Sequence, residues 1–482
     1  MSNLRQAQIE YGDFQTPFEL AQRVCEKLRE TGVSPDIIIE PTCGIGAFVE
    51  ASALTFPAAR KIVGVEINQT YLDELENRKK RFETNGRISL LKGDFFTFDW
   101  NSPIDGEGPL LVIGNFPWVT NSQQGAIGGI NLPSKKNFQN RTGFEAMTGK
   151  SNFDISEWML IQVSKWFRKR HGYLAMLVKT SVARKFLQHL YTQKTPLRRS
   201  AVYSIDARKY FGVSVEACLL FCEFDGESHH YDYDVYESLE SSKGYRVGHR
   251  NGITVRDLET FERLSKYYGD SKTKWRSGIK HDCSEIMELK KIDDNWINGL
   301  GEIVDIETTY LYPLLKGSDV ANNRIEATNR YVLVTQKTVG EPTSLIKKFA
   351  PKTWEYLETH ARYLDERKSR IYQDSHRFSI FGVGGYTFAP YKVAICGLYK
   401  KLAFRLVRPI EGKPAVFDDT VYFLSFDTEQ QAVRILDILS SPLAKDFYST
   451  LIFWDEKRPI KSSILNSFNL QKFENAPILR LF

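Results

Sequence analysis

The sequence predicts an α/β domain with a mixed, mostly parallel sheet in the first half of the chain, followed by a larger α+β domain. Short apolar runs alternate with amphipathic segments as far as residue 225, and the alternation ends after about residue 229. Strands that alternate with helices form a largely parallel sheet covered on both faces. A chain of 482 residues also exceeds the size that one core usually serves. We therefore expect two domains, at 1–230 and 231–482.

The elements of the first half follow from their hydrophobic patterns. Two segments, 71–82 and 155–169, repeat apolar residues three and four positions apart and are predicted to be helices. The predicted strands are the apolar runs at 36–40, 62–67, 88–92, 110–114, 173–178 and 217–224. Parallel sheets of this kind bind ligands beyond the carboxyl ends of their strands.

A stretch rich in Gly, Asn and Lys interrupts this pattern at 121–152. Loops of this length are lids, binding loops or disordered segments. The stretch ends in "TGKS", but it is not a phosphate-binding loop, because that motif requires Gly where position 144 is Phe.

The composition excludes several classes of protein. The chain is 42% apolar and 26% charged, as ordinary globular proteins are, and it has no run of eighteen apolar residues. We expect a soluble, cytoplasmic protein that does not associate with a membrane. The six cysteines are scattered and are predicted to be reduced thiols, so no metal site is expected.

Positive charge is concentrated in the second half. The net charge of the chain is +6, whereas residues 346–405 alone contain twelve Lys or Arg against five Asp or Glu. Tyr and other apolar residues are interleaved with these basic residues. A solvated surface is one explanation, and a surface that binds phosphates and exposed bases is the other.

Three strand ends in succession carry candidate ligands for a nucleoside. In "EPTCGIGAF" at 40–48, Gly44 and Gly46 allow a tight turn beside a ligand. Glu66, at the end of the next strand, can accept hydrogen bonds from both hydroxyls of a ribose. In "GDFF", Asp94 can bond an adenine amino group while Phe95 covers the ring. Because position 49 is Val, the dinucleotide motif is incomplete, and S-adenosylmethionine fits better than a dinucleotide.

Five motifs in order then resemble the γ-type N6-adenine DNA methyltransferases of bacterial restriction-modification systems. They are "FQTP" at 14–17, "EPTCGIGAF", "GVEIN", "GDFF" and "NFPW" at 115–118. The resemblance implies a Rossmann-like S-adenosylmethionine-dependent methyltransferase domain followed by a DNA-recognition domain. The cofactor-binding residues that it implies are Phe14, Gln15, Thr16, Pro17, Glu40, Thr42, Gly44, Gly46, Glu66, Ile67, Asp94, Phe95, Asn115 and Pro117.

The resemblance implies that "NFPW" is the catalytic motif. The amino nitrogen of adenine is a poor nucleophile, because its lone pair is delocalised into the ring. The side-chain oxygen of Asn115 and the main-chain carbonyl of Phe116 can accept its two hydrogens and direct the lone pair at the methyl group. Pro117 fixes the turn, and Trp118 offers a ring on which a base extruded from the duplex can stack.

Phe116 departs from the family pattern, which usually has Pro at this position. The variant resembles ribosomal RNA adenine dimethyltransferases, so RNA stays open as a substrate. Cytosine N4 also stays open, although Asn115 favours adenine. Glutamine methylation of a protein does not account for the large basic second half. A DNA-binding module without catalysis does not account for the intact motifs.

Double-stranded DNA is the predicted partner, together with a separate cognate restriction endonuclease that acts on the same site, and a monomer is expected. Lys179 and Ser181 follow a predicted strand and either contact the substrate or cap the next helix. No nuclease pattern of spaced Asp, Glu and Lys is evident. The predicted DNA contacts of the second half are Lys280, Lys316, Lys337, Arg367, Lys368, Arg370 and Lys392.

Overall fold

The computed structural model describes residues 14–83, 85–118 and 154–474, so the loop predicted at 121–152 lies outside the described residues. The chain forms two compact units, Met1–Leu258 and Glu259–Phe482. The division is later than the predicted one after residue 230. Three strands between residues 233 and 255 continue the sheet of the first unit, and their hydrogen bonds tie them to that unit.

A ten-stranded mixed sheet forms the centre of the first unit. Its strands are β1 (Ile37–Glu40), β2 (Lys61–Glu66), β3 (Ile88–Lys92), β4 (Leu110–Asn115), β5 (Gly172–Lys179), β6 (Arg199–Ile205), β7 (Ala217–Phe224), β8 (Tyr233–Tyr236), β9 (Gly244–Arg250) and β10 (Ile253–Val255). The spatial order is β10-β9-β8-β6-β7-β5-β4-β1-β2-β3. Strands β1 to β5 pair in parallel, whereas β7 is antiparallel to both β5 and β6. All six predicted strands are present, and β6, β8, β9 and β10 were not predicted.

Helices pack on this sheet. The predicted helix at 71–82 is observed at Gln69–Lys79, and the one at 155–169 is observed at Ile155–Ser164 with a 3₁₀ turn after it. The remaining helices of the unit are Phe18–Glu30, Ala47–Thr55, Asn101–Ile104, Thr180–Thr192 and Ala207–Phe211. A further helix, Leu258–Leu264, begins at the last residue of the first unit and continues into the second. Among the described residues, no helix is both long and apolar enough to cross a membrane.

The parallel strands bring polar side chains to one edge of the sheet. β1 ends at Glu40, β2 ends at Glu66, Asp94 follows β3, and β4 ends at Asn115. Along the order β3-β2-β1-β4-β5, the chain progresses in opposite directions on the two sides of β1. A crevice opens at the carboxyl ends of strands where the order reverses in this way.

The second unit contains two smaller sheets. The strands are β11 (Arg276–Ser277), β12 (Glu288–Ile292), β13 (Asn295–Ile297), β14 (Ile303–Val304), β15 (Leu311–Leu315), β16 (Arg330–Leu333), β17 (Tyr391–Cys396), β18 (Arg405–Val407), β19 (Val416–Phe417) and β20 (Val421–Phe426). The sheet orders are β14-β13-β12-β16-β15-β19 and β11-β20-β17-β18. The helices are Ser284–Met287, Gly317–Ala321, Leu345–Phe349, Pro351–Thr359, Ala361–Asp365, Glu429–Ser440, Pro442–Ser449, Ser462–Leu465 and Leu470–Glu474.

Lys392 of β17 lies in the core of the second unit, so its predicted contact with DNA is wrong. Its side chain is 1% exposed, and Nζ donates to the carbonyl oxygens of Ala389 at 2.7 Å and Ala415 at 2.9 Å. Burial lowers the pKa of Lys392 to about 7, because a low-dielectric surrounding disfavours the charged amine.

The buried amine of Lys392 predicts a pH-dependent stability of the second unit. Between about pH 7 and the ordinary lysine pKa of 10.5, the unfolded chain holds this proton and the folded chain does not. The free energy of unfolding therefore rises with pH across this window. Relative to Lys392→Met, the wild type should gain up to about 1.4 kcal/mol per pH unit. Urea denaturation at several pH values measures the difference, and a difference that does not change with pH would contradict the prediction.

Candidate functional site

A cavity of about 520 Å³ opens at the carboxyl ends of β1 to β4. This volume lies within the range of small-molecule sites. The predicted site residues that line it are Phe14, Gln15, Thr16, Glu40, Thr42, Gly44, Glu66, Ile67, Asp94, Phe95, Asn115 and Pro117. Four predicted residues are not among the lining residues, namely Pro17, Gly46, Phe116 and Trp118.

The cavity also has lining residues that were not predicted from the sequence. They are Pro41, Cys43, Ala47, Asn68, Tyr71, Gly93, Phe96, Ile155 and Met159. Most of them lie within or beside a predicted motif, and this position in the sequence could have identified them as lining residues. Ile155 and Met159 belong to the helix Ile155–Ser164. The position of this helix beside the cavity results from tertiary packing, which the local sequence does not indicate.

The loop after β1 turns around two glycines with positive φ angles, 51° at Gly44 and 83° at Gly46. A Cβ on Gly44 would overlap the side chain of Gln15, whose Oε1 accepts a hydrogen bond from the Ile45 amide at 3.0 Å. A Cβ on Gly46 would overlap Leu75. Gly44 therefore allows the "FQTP" segment to approach, whereas Gly46 shapes the turn without reaching the cavity.

Glu66 is fixed at the end of β2 by two main-chain donors. Its Oε2 accepts from the Gly44 amide at 2.8 Å, and its Oε1 accepts from the Asn68 amide at 2.9 Å. A carboxylate oxygen can accept more than one hydrogen bond. The side chain is therefore held in one orientation with accepting capacity beside the cavity that it lines.

Glu40 is a buried carboxyl group at the end of β1, and its Oε2 accepts from the Val49 amide at 2.9 Å. Burial raises the pKa of Glu40 well above its ordinary value, the negative charge of Glu66 raises it further, and the Val49 amide opposes both. Burial and the same two carboxyl groups raise the pKa of the Cys43 thiol. The thiol is therefore protonated and is not a nucleophile.

Charge in the cavity has one sign. Glu40, Glu66 and Asp94 line it, and none of the described lining residues is Lys, Arg or His. Like charges in a water-poor cavity raise each other's energy, and a cation relieves that cost. The lining therefore selects a ligand that carries positive charge.

The side-chain amide of Asn115 is oriented by two acceptors. Its Nδ2 donates to the main-chain carbonyl of Phe14 at 3.2 Å and to Oγ1 of Thr16 at 3.3 Å. A carbonyl oxygen only accepts, so the atom that faces Phe14 is the amide nitrogen. Oδ1 of Asn115 is buried and has no hydrogen-bond partner among the described residues. A buried acceptor without a hydrogen bond destabilises the protein by roughly 1–3 kcal/mol. A ligand that donates a hydrogen bond to this oxygen would remove that cost.

Trp118 does not present the open stacking surface that the sequence predicted. Its ring is 6% exposed and packs against Phe14 and Phe211, with ring centroids 5.9 and 5.0 Å apart. Its Nε1 donates to the carbonyl oxygen of Leu177 at 3.4 Å. The aromatic side chains that do line the cavity are Phe14, Tyr71, Phe95 and Phe96.

Lys179 at the end of β5 forms an ion pair with the buried carboxylate of Asp154, at 2.7 Å. Asp154 also accepts from the amide of Ser156 at 3.2 Å, at the start of the helix Ile155–Ser164. The ion pair thus ties β5 to that helix. Ser181 is half-buried in the first turn of the helix Thr180–Thr192, which has no side-chain cap from Lys179.

Arg367 is a structural residue of the second unit rather than an open DNA contact. Its guanidinium donates to the carbonyl oxygens of Leu364 at 2.7 Å, His281 at 3.1 Å and Ser379 at 2.8 Å. The group lies 3.7 Å from the centroid of the Tyr372 ring. Burial lowers its pKa. The guanidinium is engaged inside the unit, so the predicted contact with DNA is wrong.

The other predicted DNA contacts of the second unit differ in their surroundings. Lys280 pairs with Asp282 at 3.3 Å, and Lys316 pairs with Glu288 at 2.7 Å. Pairing with a carboxylate reduces the charge that each lysine offers to a phosphate. The exposed members of the predicted set are Lys337, Lys368 and Arg370.

The Rossmann-like sheet, with an acidic cavity at the point where its strand order reverses, is the architecture of an S-adenosylmethionine-dependent methyltransferase. The chain is 59% identical over 471 residues to the Type II methyltransferase M.NspV of Nostoc sp. (strain ATCC 29411 / PCC 7524), across 97% of this chain and 98% of the relative. The chain therefore belongs to the Type II methyltransferases, the DNA methyltransferases of restriction-modification systems, as the motifs predicted.

Two further comparisons are more limited. The chain is 31% identical over 109 residues to the Type II methyltransferase M.CvrRI of Paramecium bursaria Chlorella virus XZ-6E, across 23% of this chain and 25% of that relative. The Type IIL restriction-modification enzyme MmeI, solved in complex with DNA, matches with a TM-score of 0.52 at 13% identity, across 96% of this chain. This chain spans 65% of the length of MmeI, and the likeness concerns the fold alone. No protein-family model matches the chain.

The cofactor of this family, S-adenosylmethionine, was predicted from the strand ends, and the cavity fits it. The molecule carries a sulfonium and an ammonium group against one carboxylate, so it is a net cation. Three carboxyl groups and no basic side chain among the described lining residues suit that charge. The volume of about 520 Å³ suits its size.

Glu40 predicts that cofactor binding releases a proton. An acid whose pKa is raised in the free protein holds a proton that it loses when a cation arrives, so affinity should increase as the pH rises above the ordinary glutamate pKa of 4.5. Calorimetry at several pH values above 4.5, in two buffers of different ionisation enthalpy, counts the released protons at each pH. Glu40→Gln should still bind the cofactor but should release fewer protons. Equal release by the wild type and Glu40→Gln would contradict the prediction.

Proposed function

We propose that this protein transfers a methyl group from S-adenosylmethionine to the N6 amino group of an adenine extruded from double-stranded DNA. The observation that carries the proposal is the buried, unpaired Oδ1 of Asn115 beside a cavity that fits the cofactor. The established family supports DNA as the substrate. The choice of adenine rests on Asn115 and on the order of the motifs.

The proposed chemistry needs acceptors rather than a strong base. Oδ1 of Asn115 accepts one amino hydrogen of the adenine, and the main-chain carbonyl of Phe116 accepts the other. With both hydrogens held, the nitrogen lone pair is directed out of the ring plane and becomes nucleophilic. When bound, the cofactor supplies an electrophilic methyl group. The side chain of Phe116 is buried against Phe95, which supports a main-chain role at this position.

The strand ends divide the recognition of the cofactor. Glu66 would accept hydrogen bonds from the ribose hydroxyls, Asp94 would accept one from the adenine amino group, and Phe95 would cover the adenine ring. Carboxylate–hydroxyl hydrogen bonds of this type contribute about 1.5–3 kcal/mol each. Gln15 and Thr16 of the "FQTP" segment also line the cavity.

The second unit holds the duplex in this proposal, and its exposed Lys337, Lys368 and Arg370 contact phosphates. Extrusion of a base costs a few kcal/mol, which contacts along the duplex offset. We infer in addition that the protein is a cytoplasmic monomer. A separate cognate restriction endonuclease would recognise the same DNA site.

The substrate is tested by the identity of the methylated nucleoside. Purified protein is incubated with tritiated S-adenosylmethionine and either duplex DNA or ribosomal RNA, and the product is digested to nucleosides. We expect N6-methyladenine from DNA alone. N4-methylcytosine would overturn the choice of base, and label in RNA would overturn the choice of polymer.

Asn115→Ala tests the acceptor directly. The variant loses an acceptor at the moment when positive charge develops on the amino nitrogen, so single-turnover transfer should slow on the order of a hundredfold or more. Cofactor affinity, measured by calorimetry, should change little, because the carboxyl groups remain. Transfer at the wild-type rate would remove Asn115 from the reaction.

Thr16 tests whether the orientation of that amide matters. Thr16→Val removes one of the two acceptors that hold Nδ2 of Asn115, and one such hydrogen bond corresponds to about a tenfold loss in single-turnover rate at saturating cofactor. Thr16→Ser keeps the hydroxyl and should restore the rate. If the Val and Ser variants are equally slow, Thr16 acts through packing and not through the amide.

A further inference from the structure

The segment 337–349 of the second unit begins with a loop at 337–342. Buried polar side chains on both sides of this loop hold it in place by hydrogen bonds. Before the loop, buried Gln336 donates to the carbonyl oxygen of Glu341, and its Oε1 accepts from the Ile380 amide at 2.9 Å. After the loop, Oγ1 of buried Thr343 donates to the carbonyl oxygen of Arg377 at 2.5 Å. These bonds fix the position of whatever the segment displays.

The segment exposes several large apolar side chains to solvent. Val339 at the loop tip is 53% exposed, and Phe349 at the end of the helix Leu345–Phe349 is 59% exposed. Leu345 is exposed as well, while Ile346 and Ala350 of the same turn are fully buried in the core. Three large exposed apolar side chains within one short segment indicate an interaction site.

Lysines accompany these apolar side chains. Lys337, Lys347 and Lys348 are exposed, and none of them has an ion-pair partner among the described residues. Glu341 is the one acidic residue of the segment. Its carboxylate accepts from the amides of Lys337 and Thr338, so it serves the loop backbone. The surface of the segment is therefore positive.

We propose that the segment 337–349 is a DNA-contacting element, with Lys337, Lys347 and Lys348 on phosphates and Val339 and Phe349 against deoxyribose or base surfaces. The inference rests on the proposed function, which requires the second unit to hold a duplex. DNA combines a polyanionic backbone with apolar sugar faces and thymine methyl groups, and the segment offers the complement of both. A symmetric contact between two copies of this chain would instead bring the same lysines together across the two-fold axis.

Binding of the 482-residue chain to a fluorescein-labelled duplex tests the lysines. It is measured by anisotropy over a range of salt concentrations. In Lys337→Gln/Lys347→Gln/Lys348→Gln, the slope of log affinity against log salt should become shallower by about 0.9 for each phosphate that the variant no longer neutralises. The matched control replaces three exposed lysines of the same unit, Lys266→Gln/Lys272→Gln/Lys445→Gln, and should keep the wild-type slope. An unchanged slope in the first triple variant, or an equal change in the control, overturns the proposal.

Val339→Ser/Phe349→Ser tests the apolar contacts. This variant should lose affinity by about tenfold or more at every salt concentration while keeping the wild-type slope, because all three lysines remain. Thermal unfolding and cofactor affinity should match the wild type, since both side chains are exposed. Wild-type affinity in this variant would overturn the role of the apolar residues. A wild-type protein that yields no methylated DNA in the nucleoside assay would reject the proposed function itself, whatever these variants show.

Discussion

The hydrogen bond from Nδ2 of Asn115 to the main-chain carbonyl of Phe14 is the contact on which the geometry of this site depends. It joins residues that are 101 positions apart. The hydroxyl of Thr16 accepts or donates and would tolerate either orientation of the amide, but a main-chain carbonyl tolerates one. Because Phe14 fixes the nitrogen, the oxygen is the atom left without a partner among the described residues. The "FQTP" segment thus determines what "NFPW" can offer to a ligand.

Two glycines, Gly114 in β4 and Gly44 in the loop after β1, have backbone conformations that other residues rarely adopt, with φ angles of 153° and 51°. At Gly114 the constraint is the backbone alone, because a Cβ would lie at an ordinary contact distance of 3.4 Å from Cγ of Glu40. At Gly44 it is steric as well, because a Cβ would overlap the side chain of Gln15. Gly44 therefore leaves the room that the "FQTP" segment occupies beside the cavity.

The sequence was informative where a signal is local. Strands β1, β2, β4, β5 and β7 are buried along most of their length and appear as largely apolar runs, whereas β6 ("RSAVYSI") and β9 ("GYRVGHR") mix polar residues into their runs and were not predicted. Twelve predicted cofactor residues line the cavity, because strand ends and glycine turns are visible in sequence. The errors concern burial that results from tertiary packing. Trp118 is covered by Phe211, and Lys392 is enclosed by Ala389, Ala415 and Phe423.

The one-sided charge of the cavity suits the whole of the proposed reaction and not only the binding step. Methyl transfer moves a positive charge from the donor to the adenine nitrogen, so the positive charge in the cavity is displaced rather than created. Carboxyl groups that favour the donor also favour the charged product at short distance, while a lysine or arginine in the lining would penalise both. Oδ1 of Asn115 then needs only to accept a hydrogen whose positive character increases as the bond forms. The cationic nitrogen formed by the transfer is strongly acidic and loses one proton to water to give the neutral methylated base. A cavity of carboxyl groups and one oriented amide is therefore consistent with transfer to a neutral amine without a general base.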